Sequence, residues 1–297
     1  MEKWYIYLLI LLIAGVAGCN DEDKLSATER PEFGYFVPQG DADYDDRIVE
    51  WKEKGNFYIL YKFEELDIRW QINNWLDTNT FKYTFADPLY IGKQLDLLEK
   101  QFLDYYPQEL LRKAMPVKVL LVGTLSDGTK NMRNPETVVS TDFDRFVVSW
   151  GREEIVTMTE TEKTEFKSKM HLAFINRLID KNIISIPEEF SKVSSYGDYY
   201  FDRAEAYASG FLVDYYDDPS TNQLVSMVVK SDFMYYVEVI MSNPKSYLET
   251  ESTDMSSHAG ILHLIKDTSG KILKKYNIVI DYFKQELNLD LQAIGGE

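Results

Sequence analysis

Apolar residues recur at helical spacing in two separate segments of the chain, residues 87–106 and 161–181. Within each segment the apolar positions are three or four residues apart, so a helix there would carry an apolar stripe along one face. The stripe residues are Ile91, Leu95, Leu98 and Phe102 in the first segment and Phe166, Met170, Phe174 and Leu178 in the second. Thr159 is followed three residues later by Glu162, which is the spacing of a capping box. The pattern predicts two helices that each bury one face, the second beginning near Thr159.

Three shorter segments have the composition of strands, and the later part of the chain has mainly helical patterns. Aromatic and β-branched residues mark the predicted strands, which are residues 56–63, 117–124 and 145–150. Further helices are predicted over residues 201–216, 222–241 and 258–286, and turn-forming residues predict a loop over residues 126–137. This order predicts an α+β domain over residues 34–297. We expect a strand-containing lobe over residues 34–160 and a mostly helical lobe over residues 161–297.

The chain opens with the pattern of a secretory signal. Lys3 precedes an apolar run that begins at Trp4 and is shorter than the roughly 20 residues that a membrane span needs. Small residues follow, and Val16–Cys19 matches the lipobox of bacterial lipoproteins, in which the cysteine is acylated with fatty acids such as palmitate. Residues 1–18 are therefore predicted to be a lipoprotein signal peptide, with Cys19 as the lipidation site. The alternative is an ordinary signal peptide that has a cysteine there by chance.

Residues 19–33 are polar and acidic and show no periodicity, so we expect them to form a tether. The acidic start of this tether, Asn20–Lys24, is either a solvated linker or an export tag like those that send lipoproteins to the outer face of the outer membrane in some Gram-negative bacteria. We therefore predict a lipid-anchored outer-membrane protein that is exposed at the cell surface. Several acyl chains together make such an anchor stable.

Composition narrows the range of partners. The 297 residues include 32 Lys and Arg against 49 Asp and Glu, and the net charge of −17 argues against nucleic acid or an anionic lipid surface as the partner. Cys19 is the one cysteine in the sequence, so no intramolecular disulfide can form and the domain depends on its core. The 21 tyrosines include four adjacent pairs, which either fill the core and its rim or offer faces for stacking on sugars and peptide side chains.

The helix predicted over residues 161–181 carries His171, one of three histidines in the chain. A helical zinc-hydrolase site needs two histidines four residues apart, with a glutamate directly after the first as general base. Here Leu172 stands at the glutamate position and Ile175 at the second histidine position. From the residues alone, His171 is therefore expected to be a half-buried or surface histidine and not a metal ligand.

Other candidate chemistry is weaker. His258 and His263 are five residues apart, so on a helix they would be separated by roughly 140° and would not share a face. Residues 41–46 resemble the start of an EF-hand loop, but Asp46 replaces the required glycine and Lys52 the required glutamate. A solvated acidic turn is the better interpretation, and weak calcium binding is the alternative. The sequence contains neither a nucleophile-elbow motif nor a glycine-rich phosphate loop.

Five stretches of the mature chain resemble the zinc-binding metallopeptidase lipoproteins, also called substrate-import-associated zinc metallohydrolase lipoproteins. They are residues 35–75, 86–123, 143–155, 208–227 and 272–291, and the family shares the lipobox as well. The resemblance implies a zincin-like metallopeptidase fold. It also implies that the protein is a companion of outer-membrane import systems of the starch-utilisation type.

The resemblance also implies which residues would form the site. The first zinc-binding histidine of the family aligns with His171, the catalytic glutamate with Leu172 and the second histidine with Ile175. The more distant glutamate ligand aligns with Ser226. With one functional position of four retained, His171 is expected to be a vestige, Ile175 and Ser226 lost ligand positions, and no residue catalytic. Active relatives would hold zinc, whereas no cofactor is expected in this chain.

Two functions of different kinds follow. The first is a pseudoenzyme that binds a peptide or glycan ligand, or a partner protein, as an accessory to a nutrient importer; a pure assembly scaffold is a variant of it. The alternative is an active zinc-dependent peptidase or hydrolase with non-standard ligands, such as His171 together with Glu205 from residues 202–210.

Overall fold

In a computed structural model, the three strands predicted from their β-branched and aromatic residues belong to one mixed sheet. The model describes residues 34–69, 82–126, 137–197, 202–212, 217–218, 223–224 and 228–296. The chain divides into two units, Met1–Phe36 and Val37–Glu297, and every element below belongs to the second. The five strands are β1 (Tyr58–Leu60), β2 (Lys82–Phe85), β3 (Lys118–Ser126), β4 (Val139–Thr141) and β5 (Arg145–Val148).

Strand β3 is the centre of this sheet. Strands β1 and β5 flank it in parallel, with Leu120 opposite Leu60 on one side and Val147 on the other. Strand β4 continues the sheet antiparallel to β5, and β2 pairs antiparallel with the second half of β3. Most of β3 is buried, because parallel strands with neighbours on both sides are covered on both faces.

Helices of the first half pack around the sheet. They are α1 (Asp43–Gly55), α2 (Glu65–Arg69), α3 (Ile91–Gln101) and α4 (Gln108–Ala114), with a 3₁₀ turn over Leu103–Tyr105. Helix α3 is the first of the two helices predicted from apolar spacing, and all four of its stripe residues are fully buried. The α-helix ends at Gln101 and the 3₁₀ turn at Tyr105, so the helical segment ends before residue 106, where the pattern predicted its end.

The second half is mostly helical, as predicted. Its helices are α5 (Glu160–Asp180), α6 (Glu188–Ser191), α7 (Arg203–Ala208), α8 (Val229–Ser242), α9 (Lys245–Glu249), α10 (Lys271–Leu287) and α11 (Leu291–Gly295), and a two-stranded sheet pairs β6 (Asp217–Asp218) with β7 (Gln223–Leu224). Helix α5 begins with the predicted capping box, in which Thr159 accepts from the Glu162 backbone amide and the Glu162 side chain accepts in return. Sheet and helices share one hydrophobic core. The α+β class is therefore confirmed.

Three predicted helices have different bounds from those expected. Among the described residues of the segment 201–216, the short helix α7 is the only helix, and the segment 222–241 contains β7 before α8 begins. The segment 258–286 is helical only from Lys271, because Asp267 accepts hydrogen bonds from the amides of Ile272 and Leu273 and so fixes the start of α10. The residues before it form turns.

The acidic segment 41–46 leads into α1, and Asp41, Asp43 and Asp46 are exposed as a solvated segment predicts, whereas Asp45 is not. The Asp45 side chain is buried and accepts hydrogen bonds from the backbone amides of Gln39 and Ala42 at 3.1 Å. It also accepts from the Tyr61 hydroxyl at 2.9 Å. These three donors account for its carboxylate, so the prediction of a solvated turn was wrong at this residue.

Several predictions fall outside the described residues. They are the signal peptide, Cys19, the tether, Ser226 and most of the loop predicted over residues 126–137. Within the part of the chain that the structure describes, no helix is both long enough and apolar enough to cross a membrane.

Candidate functional site

His171 lies in the hydrophobic core and not at a surface. It occupies the middle of α5, in a run of buried residues that includes Met170 and Phe174, and its exposed fraction is 0 %. The expectation of a half-buried or surface histidine was therefore wrong. The sequence pattern of α5 could not show this, because the groups that cover the imidazole come from the segment after α3.

Three aromatic rings enclose the imidazole. Phe102 and Tyr105 meet it edge-on, with ring centroids 5.6 Å and 4.9 Å away, and Tyr106 lies tilted against it at 5.4 Å. Phe102 and Tyr106 also contact the ring of Phe174, one turn along α5. The turn over residues 102–106 therefore seals His171 from solvent.

The two nitrogens of His171 have different surroundings. Nδ1 is 2.7 Å from the hydroxyl oxygen of Tyr106, which is a hydrogen bond between two buried groups. Nε2 is buried and has no hydrogen-bond partner among the described residues. The backbone carbonyl of Gln101 is close enough to favour a protonated ring, yet its geometry falls short of a hydrogen bond to Nε2.

Burial sets the protonation state of this pair. Loss of solvation lowers the pKa of His171 to about 3, and the nearby positive charge of Lys167 lowers it further, while Gln101 opposes the shift. Burial also raises the pKa of Tyr106 well above its ordinary value. At neutral pH both groups are therefore uncharged, and the hydrogen bond joins a neutral phenol to a neutral imidazole.

The positions that follow His171 on α5 carry hydrocarbon. Leu172 is half-buried against the core, and Ile175, one turn after His171, is 0 % exposed. Within the described ranges, no three His, Cys, Asp or Glu side chains are grouped so that they could hold a metal ion. A zinc ion therefore does not fit the described residues around His171, because they offer one imidazole and no grouped carboxylate or thiolate beside it.

The remaining candidate ligands lie elsewhere. His258 and His263 are on the turns before α10, where the Tyr235 hydroxyl is 3.4 Å from Nε2 of His258 and the Ile265 amide donates to Nδ1 of His263. Glu205 is exposed on α7. None of these residues belongs to a described group of metal-binding composition.

The structure contains a buried ion pair that the sequence analysis did not single out. Nζ of Lys275 on α10 lies 2.6 Å from Oδ2 of Asp232 on α8, and both side chains are fully buried. Lys275 also donates to the carbonyl of Gly210 at 2.9 Å, and the Tyr196 hydroxyl donates to the same Asp232 oxygen at 2.6 Å. The ring of Phe211 lies 4.3 Å from the ammonium group.

This pair ties α8 and α10 to the segment around Gly210. Burial raises the pKa of Asp232 and lowers that of Lys275, and each partner only partly offsets the shift of the other. The sequence did hold a signal. Lys275 occupies a position on the apolar stripe of α10, between Ile272 and Val279, where a charge requires a buried partner.

Comparisons with known proteins support the fold. The chain is similar to the crystal structure of a "putative zinc-binding metallo-peptidase" from Bacteroides caccae, with 16% sequence identity and a TM-score of 0.54. The match covers 85% of this chain and 88% of that one. No protein-family model matches the chain, and no curated protein does. At this identity the likeness establishes a shared fold and leaves the chemistry to be argued from the residues.

Proposed function

We propose that this protein is a catalytically inactive lipoprotein with a zinc-metallopeptidase-like fold, and that it serves an outer-membrane nutrient importer as a substrate- or partner-binding accessory. The observation that carries the proposal is the environment of His171. Where a zinc hydrolase needs a second imidazole and a general base, this chain has Ile175 in the core and Leu172 beside it.

The orientation of His171 supports the interpretation of a vestigial site. Histidines that bind metals hold one ring nitrogen in a hydrogen bond and present the other to the metal. Here Tyr106 engages Nδ1, while Nε2 has no partner among the described residues. His171 thus has one ring nitrogen in a hydrogen bond, as a metal-binding histidine has, while two further functional positions on the same helix carry hydrocarbon.

The lack of a general base and of a second metal ligand prevents zinc-dependent hydrolysis for two independent reasons. Leu172 cannot accept a proton, and the absence of a general base alone typically costs about 10²–10⁴-fold in rate. Ile175 cannot bind a metal, so no metal-bound water is available as the nucleophile. Burying Ile175 instead stabilises the fold by about 1.5–3 kcal/mol.

The accessory role rests on the sequence. The lipobox that ends at Cys19 supports attachment to a membrane by a lipid, and the resemblance to import-associated lipoproteins supports a place beside an importer. The ligand is then a peptide or a glycan, or a component of the importer itself.

Elemental analysis of metal content tests the inactive site. We expect the full-length protein, purified without a metal-binding tag, to contain far less than one zinc per chain. The triple variant Leu172→Glu/Ile175→His/Ser226→Glu is expected to take up zinc, and Leu172→Glu alone serves as the matched control that does not. One zinc per unaltered chain, with peptide hydrolysis that disappears on chelation, would contradict the proposal.

Membrane fractionation tests the anchor. The unaltered protein is expected in the membrane fraction, and intact-mass measurement is expected to show acyl groups at the N-terminus that begins with Cys19. The variant Cys19→Ser is expected to lose both. An unaltered protein that is recovered unacylated from the soluble fraction would show that the N-terminal segment is an ordinary signal peptide.

A further inference from the structure

A groove opens between the turn that joins β4 to β5 and the last turns of α5. Its volume is about 340 Å³, and its lining includes Phe143 in the turn and Arg177 on α5. This volume lies at the lower end of the roughly 300–1,000 Å³ that is typical of small-molecule sites. The α5 residues that line it are half-buried or exposed, whereas His171 is sealed in the core, so the groove is separate from the vestigial site.

Two cations point toward the groove. Arg177 is held in place because Nε donates to the Ala114 carbonyl at 2.7 Å and Nη1 to the Asp142 carbonyl at 3.2 Å. Its Nη2 group has no hydrogen-bond partner among the residues that the structure describes. Lys181 makes no ion pair within that same part of the chain, and its ammonium group lies 6.0 Å from the centre of the Phe143 ring. The groove thus has a guanidinium held by two hydrogen bonds and an ammonium without an ion-pair partner among the described residues.

The carboxylates that line the groove already have cationic partners. Asp142 pairs with Arg145 at 3.1 Å, and Asp180 pairs with Lys230 at 2.5 Å. Asp180 and the nearby Asp144 still act on Arg177, but burial has the larger effect and lowers the pKa of its guanidinium. Burial and the charge of Arg177 together lower the pKa of Lys181. An anion in the groove would relieve this repulsion between two neighbouring cations.

The rest of the groove suits a ring-shaped, hydroxylated ligand. Phe143 is 75 % exposed and lines the groove beside the Lys181 ammonium, so its ring offers apolar surface there for contact with the C–H bonds of a sugar ring. The Asn176 amide donates to Asp180 at 3.3 Å and keeps its carbonyl oxygen as an acceptor, and the hydroxyl of Thr141 lies on the same lining. A sugar that carries a carboxylate is complementary to this lining, which combines an aromatic ring, amide and hydroxyl groups and two cations.

We propose that this groove binds a sugar acid, with the carboxylate at Arg177 and Lys181 and the pyranose ring against Phe143. The proposal rests on the proposed function, because it names the ligand class that the accessory protein takes. The fixed guanidinium provides a directional, charge-assisted hydrogen bond, and the flexible ammonium adds attraction without fixed geometry.

Saturation-transfer NMR and calorimetric titration of the full-length protein with glucuronic acid test the proposal. We expect binding of glucuronic acid, and binding of its methyl ester at least about tenfold weaker, because the ester lacks the charge that Arg177 and Lys181 recognise. Lys181→Ala is expected to weaken binding about three- to fivefold and Phe143→Ala about fivefold. The matched controls are Lys284→Ala and Leu264→Ala, which remove an exposed lysine and an apolar side chain that is 78 % exposed elsewhere.

Several outcomes would overturn the proposal. They are absence of saturation transfer to glucuronic acid, equal binding of the acid and its ester, and equal effects of the groove variants and their controls. Tighter binding of a dipeptide with a free carboxylate would also overturn it, since the groove would then recognise peptide ends. Metal analysis separates this result from the proposed function: a zinc-free protein that does not bind the sugar acid refutes only the groove, whereas stoichiometric zinc refutes the inactive site.

Discussion

Replacing His171 by glutamine should change how the stability of the protein depends on pH. The imidazole is fully buried, and burial lowers its pKa in the folded protein to about 3. A histidine in the unfolded chain has a pKa of about 6.5. Glutamine keeps a polar group that can accept the Tyr106 hydrogen bond, but it does not titrate, so the variant isolates the protonation of the imidazole from the loss of that bond.

The sign and the magnitude follow from proton linkage. Because the folded pKa is the lower one, the unfolded chain binds the additional proton below about pH 6.5 and is favoured there. The contribution of His171 to stability is therefore complete above pH 6.5 and is lost as the pH falls toward about 3. The slope is about 1.4 kcal/mol per pH unit in that window, which gives a loss of about 2 kcal/mol between pH 7 and pH 5.

Urea unfolding, followed by tryptophan fluorescence at pH 7, 6 and 5, measures this effect. Carboxylates also destabilise the protein in acid, so the quantity to compare is the loss of unfolding free energy between pH 7 and pH 5 in each protein. We expect that loss to be about 2 kcal/mol smaller in His171→Gln. The reasoning is refuted if His171→Gln and the unaltered protein lose the same free energy, or if NMR shows His171 titrating near pH 6.5.

Three further predictions concern stability and are checked by the same unfolding measurements at pH 7. Asp232→Ala leaves the ammonium of Lys275 buried without its partner and should cost about 3–5 kcal/mol, whereas Asp232→Leu/Lys275→Met should recover much of that loss; no recovery would contradict a role confined to this pair. Ile175→Ala should cost about 2–5 kcal/mol if the site is packed core, and a cost below 1 kcal/mol would indicate an open cleft. Thr159→Ala removes the cap of α5 and should cost about 1 kcal/mol, with Thr157→Ala as a neutral control.

Local patterns predicted much of the fold. Helices α3 and α5 lie where apolar residues recur at three- and four-residue steps, since one face of each meets the core. The start of α5 followed from Thr159 and Glu162 because a capping box is complete within four residues of sequence. The start of α10 did not follow from the stripe, because Asp267, whose side chain accepts from the first-turn amides of Ile272 and Leu273, lies outside the apolar pattern.

For the candidate site, too, some properties followed from the sequence and others only from the packing. The sequence by itself determined that Leu172 and Ile175 cannot supply a proton acceptor or a metal ligand, because that property belongs to each side chain wherever it is placed. It could not determine that His171 is sealed in the core, since Tyr106, the partner of its Nδ1, is 65 residues away in the chain.

The tertiary structure also decided which charges are satisfied. Lys275 and Asp232 are 43 residues apart and meet only when α10 packs on α8, and the groove at Arg177 exists only because the turn after β4 lies against α5. Hydrophobic periodicity predicts which face of a helix or strand is buried. Whether a polar side chain on that face is desolvated and paired depends on the groups that other elements place beside it. For this protein the sequence therefore determined that Leu172 and Ile175 offer neither a base nor a metal ligand, and the packing decided how the polar groups elsewhere are buried and paired.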